Sequence, residues 1–132
     1  MSQHAKGVFR VKLLPLSLVD DEADKTLGRM SIDKTFSGDL IATSKGEMLS
    51  AGTSVKGSAG YVAIERVTGS LNGRSGSFVL QHSGTMNRGT PQLSVTVVPD
   101  SGTEDLVGLT GTLAIIIADG EHRYEFEYLF SE

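Results

Sequence analysis

A hairpin in the middle of the chain decides the fold: residues 60–84 are GYVAIERVTGSLNGRSGSFVLQHSG. A period of two places alternate side chains on opposite faces of a strand. Tyr61 and Glu65 therefore share one face of the first run, and Phe78 and His82 share one face of the second. The Asn-Gly pair between the runs is typical of the tight turn that joins antiparallel strands. The segment predicts two antiparallel strands.

The same alternation recurs along the rest of the chain. In the last run four aromatic side chains share one face, and glutamates occupy the other face. Proline, glycine, asparagine and aspartate separate the runs, as is typical of turns. No stretch keeps helical spacing for three turns. The pattern predicts eight strands, at residues 6–14, 28–37, 39–51, 60–70, 75–85, 92–98, 111–118 and 122–131.

Eight short strands, mostly one turn apart, indicate an antiparallel meander. A meander of this length can close into a barrel, which removes the exposed strand edges. We therefore expect an all-β fold, a small antiparallel eight-stranded barrel with little or no helix, in a single domain over residues 1–132. A two-sheet β-sandwich is the alternative.

Composition excludes several classes of protein. The chain has 132 residues, a formal net charge of −4 and no cysteine. Without cysteine it is neither a disulfide scaffold nor a thiol enzyme, and it has no Cys-ligated metal site. No basic stripe is present to meet a phosphate backbone, so we expect no nucleic-acid partner. An acidic cluster at residues 20–24 lacks the spacing of a calcium loop and is interpreted as a solvated loop.

The longest apolar run, Leu113–Ala118, is too short to span a membrane, which needs about 20 apolar residues. The first residues are polar and lack the apolar core of a secretory signal. We therefore expect a cytoplasmic protein with no membrane partner. Because this run is apolar on both faces of a strand, its outer face needs cover, and we expect a homo-oligomer.

Four segments resemble the pattern of the bacterial domain-of-unknown-function family 3224. They are residues 57–61 (GSAGY) with Glu65, 76–82 (GSFVLQH), 98–103 (VPDSGT) and 120–126 (GEHRYEF). The resemblance covers nearly the whole chain. It implies a small antiparallel barrel similar to that of allene oxide cyclase, and it implies no established activity. The likeness to the cyclase is one of fold alone, which does not define function.

The candidate site consists of Tyr61, Glu65 and His82. A turn centred near residues 72–73 pairs Glu65 with about Leu80 and Ala63 with about His82, so the carboxylate and the imidazole are diagonal neighbours. If their faces point inward, burial is expected to raise the pKa of Glu65, and the histidine could share its proton. These groups suit general acid–base chemistry. They also suit a buried polar cluster that fixes strand register.

Other chemistries lack a motif. His4, His82 and His122 have no paired spacing, so we expect no metal site. The chain contains no nucleotide-binding glycine motif and no G-x-S-x-G nucleophile motif, and we expect no cofactor.

Three functions stay open at this point. The first is binding of a small, largely apolar molecule in the barrel interior, with Phe78 and Phe126 lining the pocket and Tyr61, Glu65 and His82 as polar anchors. The second is an isomerase or cyclase with Glu65 as base and His82 or Tyr61 as proton donor. The third is a structural or interaction protein with a filled barrel.

Overall fold

The computed structural model of the protein describes residues 2–18 and 26–131. The acidic cluster at residues 20–24, interpreted above as a solvated loop, lies outside the described residues.

The described chain forms a closed barrel in which each strand pairs antiparallel with the next and the last strand pairs with the first. The predicted all-β meander barrel is confirmed, and the sandwich alternative is not needed. A single 3₁₀ turn, Glu104–Leu106, lies between the sixth and seventh strands. The strands are β1 (Gln3–Pro15), β2 (Leu27–Gly38), β3 (Leu40–Gly52), β4 (Ala59–Leu71), β5 (Arg74–Asn87), β6 (Thr90–Val97), β7 (Leu109–Ala118) and β8 (Glu121–Phe130).

Several turns are shorter than the sequence predicts, because both of their residues adopt positive φ. Asn72 and Gly73 have φ of 47° and 88°, and Arg88 and Gly89 have φ of 50° and 92°. Positive φ at both central residues is typical of the two-residue turn whose twist matches that of the paired strands. The predicted strands 75–85 and 92–98 leave a loop at residues 86–91 between them. In the structure this loop contracts to a tight turn, and β5 and β6 extend to meet it.

One end of the barrel, called the closed end, is packed with apolar side chains. This end includes the β2–β3 and β4–β5 turns and the connection between β6 and β7. The Tyr124 hydroxyl donates to the carbonyl of Ser37 at 2.8 Å and accepts from the amide of Leu40 at 2.9 Å, which ties β8 to the β2–β3 turn. The buried residues at this end are Leu40, Leu71, Phe78, Val97, Leu106, Leu109, Tyr124, Phe126 and Tyr128.

The opposite end, called the open end, leaves inward-facing side chains uncovered. Leu93 is 43% exposed and Ile117 is 70% exposed, although both belong to the inward set of their strands. Here β6 and β7 diverge: their ladder consists of the pair Thr96 and Thr112, whereas β4 and β5 pair along their whole length. The apolar run Leu113–Ala118 lies in β7, and its outward Ile116 is 38% exposed.

Replacement of Leu106 tests whether this side chain closes the packed core at the closed end of the barrel. Leu106 is buried and approaches Gly76 so closely that a Cβ added there would lie 3.3 Å from the Leu106 Cγ. We expect Leu106→Ala to lower the free energy of unfolding by about 2–5 kcal/mol, because the transfer energy is lost and a cavity remains. Urea unfolding measures the change. The exposed neighbour provides the control, since Val107→Ala is expected to change stability by no more than about 0.5 kcal/mol. Equal effects of the two variants would contradict the assignment.

Candidate functional site

Four polar side chains are buried in the barrel interior on four adjacent strands. They are Lys34 on β2, Ser44 on β3, Glu65 on β4 and His82 on β5. The β4–β5 register places Glu65 opposite Leu80 and Ala63 opposite His82, as the two-residue turn predicts. The four residues are called the polar cluster below, and they lie between the packed core and the open end.

The carboxylate of Glu65 is the centre of the polar cluster. Its Oε2 accepts hydrogen bonds from Lys34 Nζ at 2.7 Å and from His82 Nε2 at 2.5 Å, and its Oε1 accepts from the Ser44 hydroxyl at 2.6 Å. Glu65 has no exposed surface. In the described part of the chain every buried side-chain nitrogen and oxygen has a hydrogen-bond partner. Because all the donors converge on one carboxylate, the polar cluster meets the requirement that buried charges be paired.

The pKa of Glu65 is about 2, well below its ordinary value. Burial by itself raises this pKa. The hydrogen bond from His82, the positive charge and hydrogen bond of Lys34 and the Ser44 hydroxyl together outweigh burial. The expected rise in the pKa of Glu65 was therefore wrong, because it took no account of Lys34 and Ser44. Glu65 is ionised throughout the neutral range.

Tyr61 lies between the polar cluster and the open end. Its hydroxyl is 3.4 Å from His82 Nδ1, on the side of the imidazole away from the carboxylate. Its ring crosses Gly84 so closely that a Cβ there would come within 2.5 Å of the ring. Burial and the negative charge of Glu65 raise the pKa of Tyr61 above its ordinary value, so the hydroxyl keeps its proton.

A cavity of about 630 Å³, the mouth cavity, occupies the open end. It has a largely apolar wall drawn from β3 to β7, which includes Met48, Ser50, Tyr61, Gly84, Met86, Leu93 and Ile117. A larger depression of about 870 Å³, the outer groove, lies on the outside of the barrel. Its wall includes outward apolar side chains, among them Leu49, Val62 and Ile64. Its lining also includes two buried residues of the inward set, Ala63 and His82.

The structure brings together three of the predicted site residues, namely Tyr61, Glu65 and His82. Phe78 and Phe126 are elsewhere: both are buried, their rings stack at 5.8 Å in the core, and neither lines the mouth cavity. Their contact with a ligand stays a prediction. Of the predicted site residues, Tyr61, Glu65 and His82 are the ones connected by hydrogen bonds.

Sequence reasoning missed Lys34 and Ser44. The signal for Lys34 was present, since it belongs to the same strand face as Ile32 and Phe36, which are both buried. A lysine on an apolar face needs a buried anion as its partner. Its Nζ also lies 4.9 Å from the ring centroid of Phe9. Ser44 follows Leu40 and Ala42 on the inward face of β3 and has no comparable signal.

The histidines do not converge. His82 belongs to the polar cluster, while the His122 ring packs against Phe9 with centroids 5.3 Å apart, and His4 is exposed. Within residues 2–18 and 26–131, no group of three or more histidine, aspartate or glutamate side chains could hold a metal ion. No helix in the described ranges is long and apolar enough to span a bilayer.

These features define a small closed antiparallel barrel with an ion-paired cluster buried between a packed core and an open mouth. The chain belongs to the DUF3224 family, described as proteins of unknown function, whose family model matches residues 5–128. It is similar to a protein of unknown function from the same family of Shewanella oneidensis MR-1, whose structure is solved. The two share 53% sequence identity and a TM-score of 0.95, over 100% of this chain and 99% of that one. No curated protein matches the chain.

The low pKa of Glu65 predicts an acid-dependent loss of stability. A carboxyl group whose pKa falls on folding contributes stability above its unfolded pKa, near 4.5, and that stability is lost as pH falls toward about 2. The loss is expected to total roughly 3 kcal/mol, since one pKa unit corresponds to about 1.4 kcal/mol. Denaturant unfolding at a series of pH values measures it. The difference in stability between the wild type and Glu65→Gln should shrink across this range.

The matched control is Glu47→Gln, which removes an exposed carboxylate paired with Arg29. This variant should keep the acid dependence of the wild type, because the salt bridge at the surface contributes little. A constant difference between the wild type and Glu65→Gln from pH 5 to pH 3 would contradict the ionised state of Glu65. If the single variant fails to fold, Lys34→Met/Glu65→Gln, which also removes the unpaired lysine, takes its place.

Proposed function

We propose that the protein binds a small, largely apolar molecule in the mouth cavity at the open end of the barrel. The observation that carries the proposal is the cavity itself, a concave space of about 630 Å³ with a mostly apolar wall. Ligand pockets usually measure about 300–1,000 Å³ and combine apolar walls with a few fixed polar groups. Inward-facing Leu93 and Ile117 are exposed in this space, which is unfavourable without an apolar occupant.

Two inward polar side chains line the proposed site, Ser50 and Tyr61, and the polar cluster holds Tyr61 in place. Gly84 has no side chain and so leaves room for the Tyr61 ring, and the Tyr61 hydroxyl lies within hydrogen-bonding distance of His82 Nδ1. His82 is itself held by Glu65, which is held by Lys34 and Ser44. A polar group fixed by such a chain is preorganised, and this lowers the entropy that binding costs.

An isomerase or cyclase with Glu65 as general base has less support. A general base works best with a pKa near the working pH, and the pKa of Glu65 is about 2. The carboxylate also has three donors and no exposed surface, so a substrate proton would have to displace one of them. Glu65 is better suited to orienting His82 than to abstracting a proton.

The outer groove is larger than the mouth cavity but offers less to a small molecule. Its charged groups, Arg29 and Glu47, are exposed and pair with each other at 2.8 Å. His82 also lines the outer groove, but both of its ring nitrogens already have partners, Glu65 and Tyr61, so it offers no free polar atom there. We therefore place the ligand in the mouth cavity. A cytoplasmic location stays a prediction.

A variant that fills the mouth cavity tests the proposal. Ser50 lines the cavity from β3, and Ser50→Phe places a ring in the space. We expect its affinity for 2-naphthol, measured by fluorescence titration, to fall on the order of tenfold, because the added ring and the probe compete for one volume. Thermal stabilisation by the probe should fall with it, since a ligand stabilises the state it binds.

The neighbouring residue supplies the control. Leu49 points outward, is about half exposed and lines the outer groove, so Leu49→Phe adds the same ring to the other face. Its affinity for 2-naphthol should equal that of the wild type. If Leu49→Phe weakens binding and Ser50→Phe does not, the ligand site is the outer groove. If 2-naphthol binds to neither the wild type nor the variants, the proposal fails.

Self-association is a second candidate, and the exposed outward face of β7 favours it. Ile116 faces outward on a strand that has one ladder pair with β6, so an apolar side chain and an unpaired strand edge lie together. Uncovered edges and apolar patches are features of subunit contacts.

We expect the wild type to be oligomeric at micromolar concentration and Ile116→Asp to be monomeric, because a buried unpaired charge is costly at an interface. Analytical ultracentrifugation measures the mass. Ile41→Asp is the control, since it introduces the same charge at an exposed outward isoleucine of β3. A monomeric wild type would refute self-association.

A further inference from the structure

The ionised carboxylate fixes the direction of every hydrogen bond in the polar cluster. With its pKa at about 2, Glu65 has no proton to donate at neutral pH. Each of its partners must therefore donate to it: the Ser44 hydroxyl, the Lys34 ammonium and Nε2 of His82. The proton on His82 Nε2 follows from this requirement.

The second nitrogen of His82 is an acceptor. Lys34 already balances the charge of Glu65, and both cationic partners would share the same Oε2. A protonated His82 would add a positive charge with no anion of its own at a site that is almost fully buried, which is unfavourable. The imidazole is therefore neutral, with its proton on Nε2 and a lone pair on Nδ1.

The same reasoning fixes the direction of the next hydrogen bond, between His82 and Tyr61. Because Nδ1 of His82 accepts, the Tyr61 hydroxyl donates its one proton to it, over 3.4 Å. A phenol has a single proton, so the hydrogen-bonding capacity left on Tyr61 is acceptor capacity alone. Tyr61 lines the mouth cavity. Tyr61, the lining residue that the polar cluster orients, is thus a hydrogen-bond acceptor toward a ligand.

We propose that the ligand is a neutral, largely apolar molecule with a hydroxyl or N–H group that donates to Tyr61, such as an alcohol or a phenol. This inference rests on the proposed function of the mouth cavity. A carboxylate ligand is a poor match, because the nearest buried cation, Lys34, is paired with Glu65 and lies behind His82. Ethers and ketones are poor partners for Tyr61, since they offer only acceptors to an acceptor.

Two probes of nearly the same shape test whether the site prefers a ligand that donates a hydrogen bond to Tyr61. 2-Naphthol has a donor, and 2-methoxynaphthalene has the same ring and oxygen without it. The dissociation constants of both are measured with the wild type and Tyr61→Phe. Tyr61→Phe keeps the ring across Gly84, so His82 stays covered while the acceptor is removed. The preference for 2-naphthol over the ether should be five- to tenfold larger in the wild type, the usual effect of one hydrogen bond.

The outcomes separate the two proposals. If both probes bind and the wild type and Tyr61→Phe show the same preference, the mouth cavity binds ligands, but the proposal that the ligand donates a hydrogen bond to Tyr61 is wrong. Tighter binding of 2-naphthoate than of 2-naphthol to the wild type would also overturn the proposal of a donating ligand and leave the binding function intact. If none of these probes binds, the proposed function fails and the ligand class with it.

The tautomer of His82 provides a measurement that needs no ligand and no variant. In ¹⁵N NMR of the wild type at neutral pH, the Nε2 of His82 should have the shift of a protonated nitrogen and Nδ1 that of an unprotonated one. A proton on Nδ1, in either the other tautomer or the imidazolium, would reverse the direction at Tyr61 and overturn the inference. This readout stays valid if Tyr61→Phe fails to fold.

Discussion

The buried carboxylate of Glu65 is the constraint on which the rest of the interior depends. Its three donors come from three other strands, so one side chain of β4 links β2, β3 and β5. Removing one partner from a buried ion pair typically costs about 3–5 kcal/mol, because an uncompensated charge remains. A shift of one residue in any of these strands would turn its donor to the outside of the barrel. The cluster therefore imposes one register on four adjacent strands.

The polar cluster also divides the interior into two parts with different roles. On the closed side, aromatic and aliphatic side chains fill the barrel, and Leu106 covers its end. On the open side the same inward pattern continues, but Leu93 and Ile117 meet solvent. Since apolar burial is the main source of stability, the packed half can hold the fold while the other half leaves space. This division separates the demands of stability from those of a binding cavity.

The sequence predicted the register that a tight turn sets and missed two of the three hydrogen-bond donors to the Glu65 carboxylate, Lys34 and Ser44. The pairing of Glu65 with Leu80 followed from the Asn72-Gly73 turn, because a two-residue turn fixes the register of its hairpin. The contact of Lys34 with Glu65 joins strands that are not adjacent, so it requires the curvature of the closed barrel. Without Lys34, burial alone gave the wrong direction for the pKa of Glu65. Phe78 and Phe126 were predicted to line an interior pocket, but alternation specifies neither which face of a strand points inward nor which end of a barrel is filled.

The two walls of the mouth cavity differ in how firmly the backbone holds them. Tyr61 and Gly84 belong to the β4–β5 hairpin, whose ladder extends from Ala59 to Leu71. Leu93 and Ile117 belong to β6 and β7, which share one pair. Each of these strands keeps a full ladder with its other neighbour, with Leu93 opposite Gly84 and Ile117 opposite His122. Local opening is easiest where hydrogen bonds are fewest, so this wall opens most easily between β6 and β7. In the proposed site, the rigid wall therefore sets the hydrogen-bonding group that a ligand must offer, and the wall of β6 and β7 sets the apolar volume it can fill.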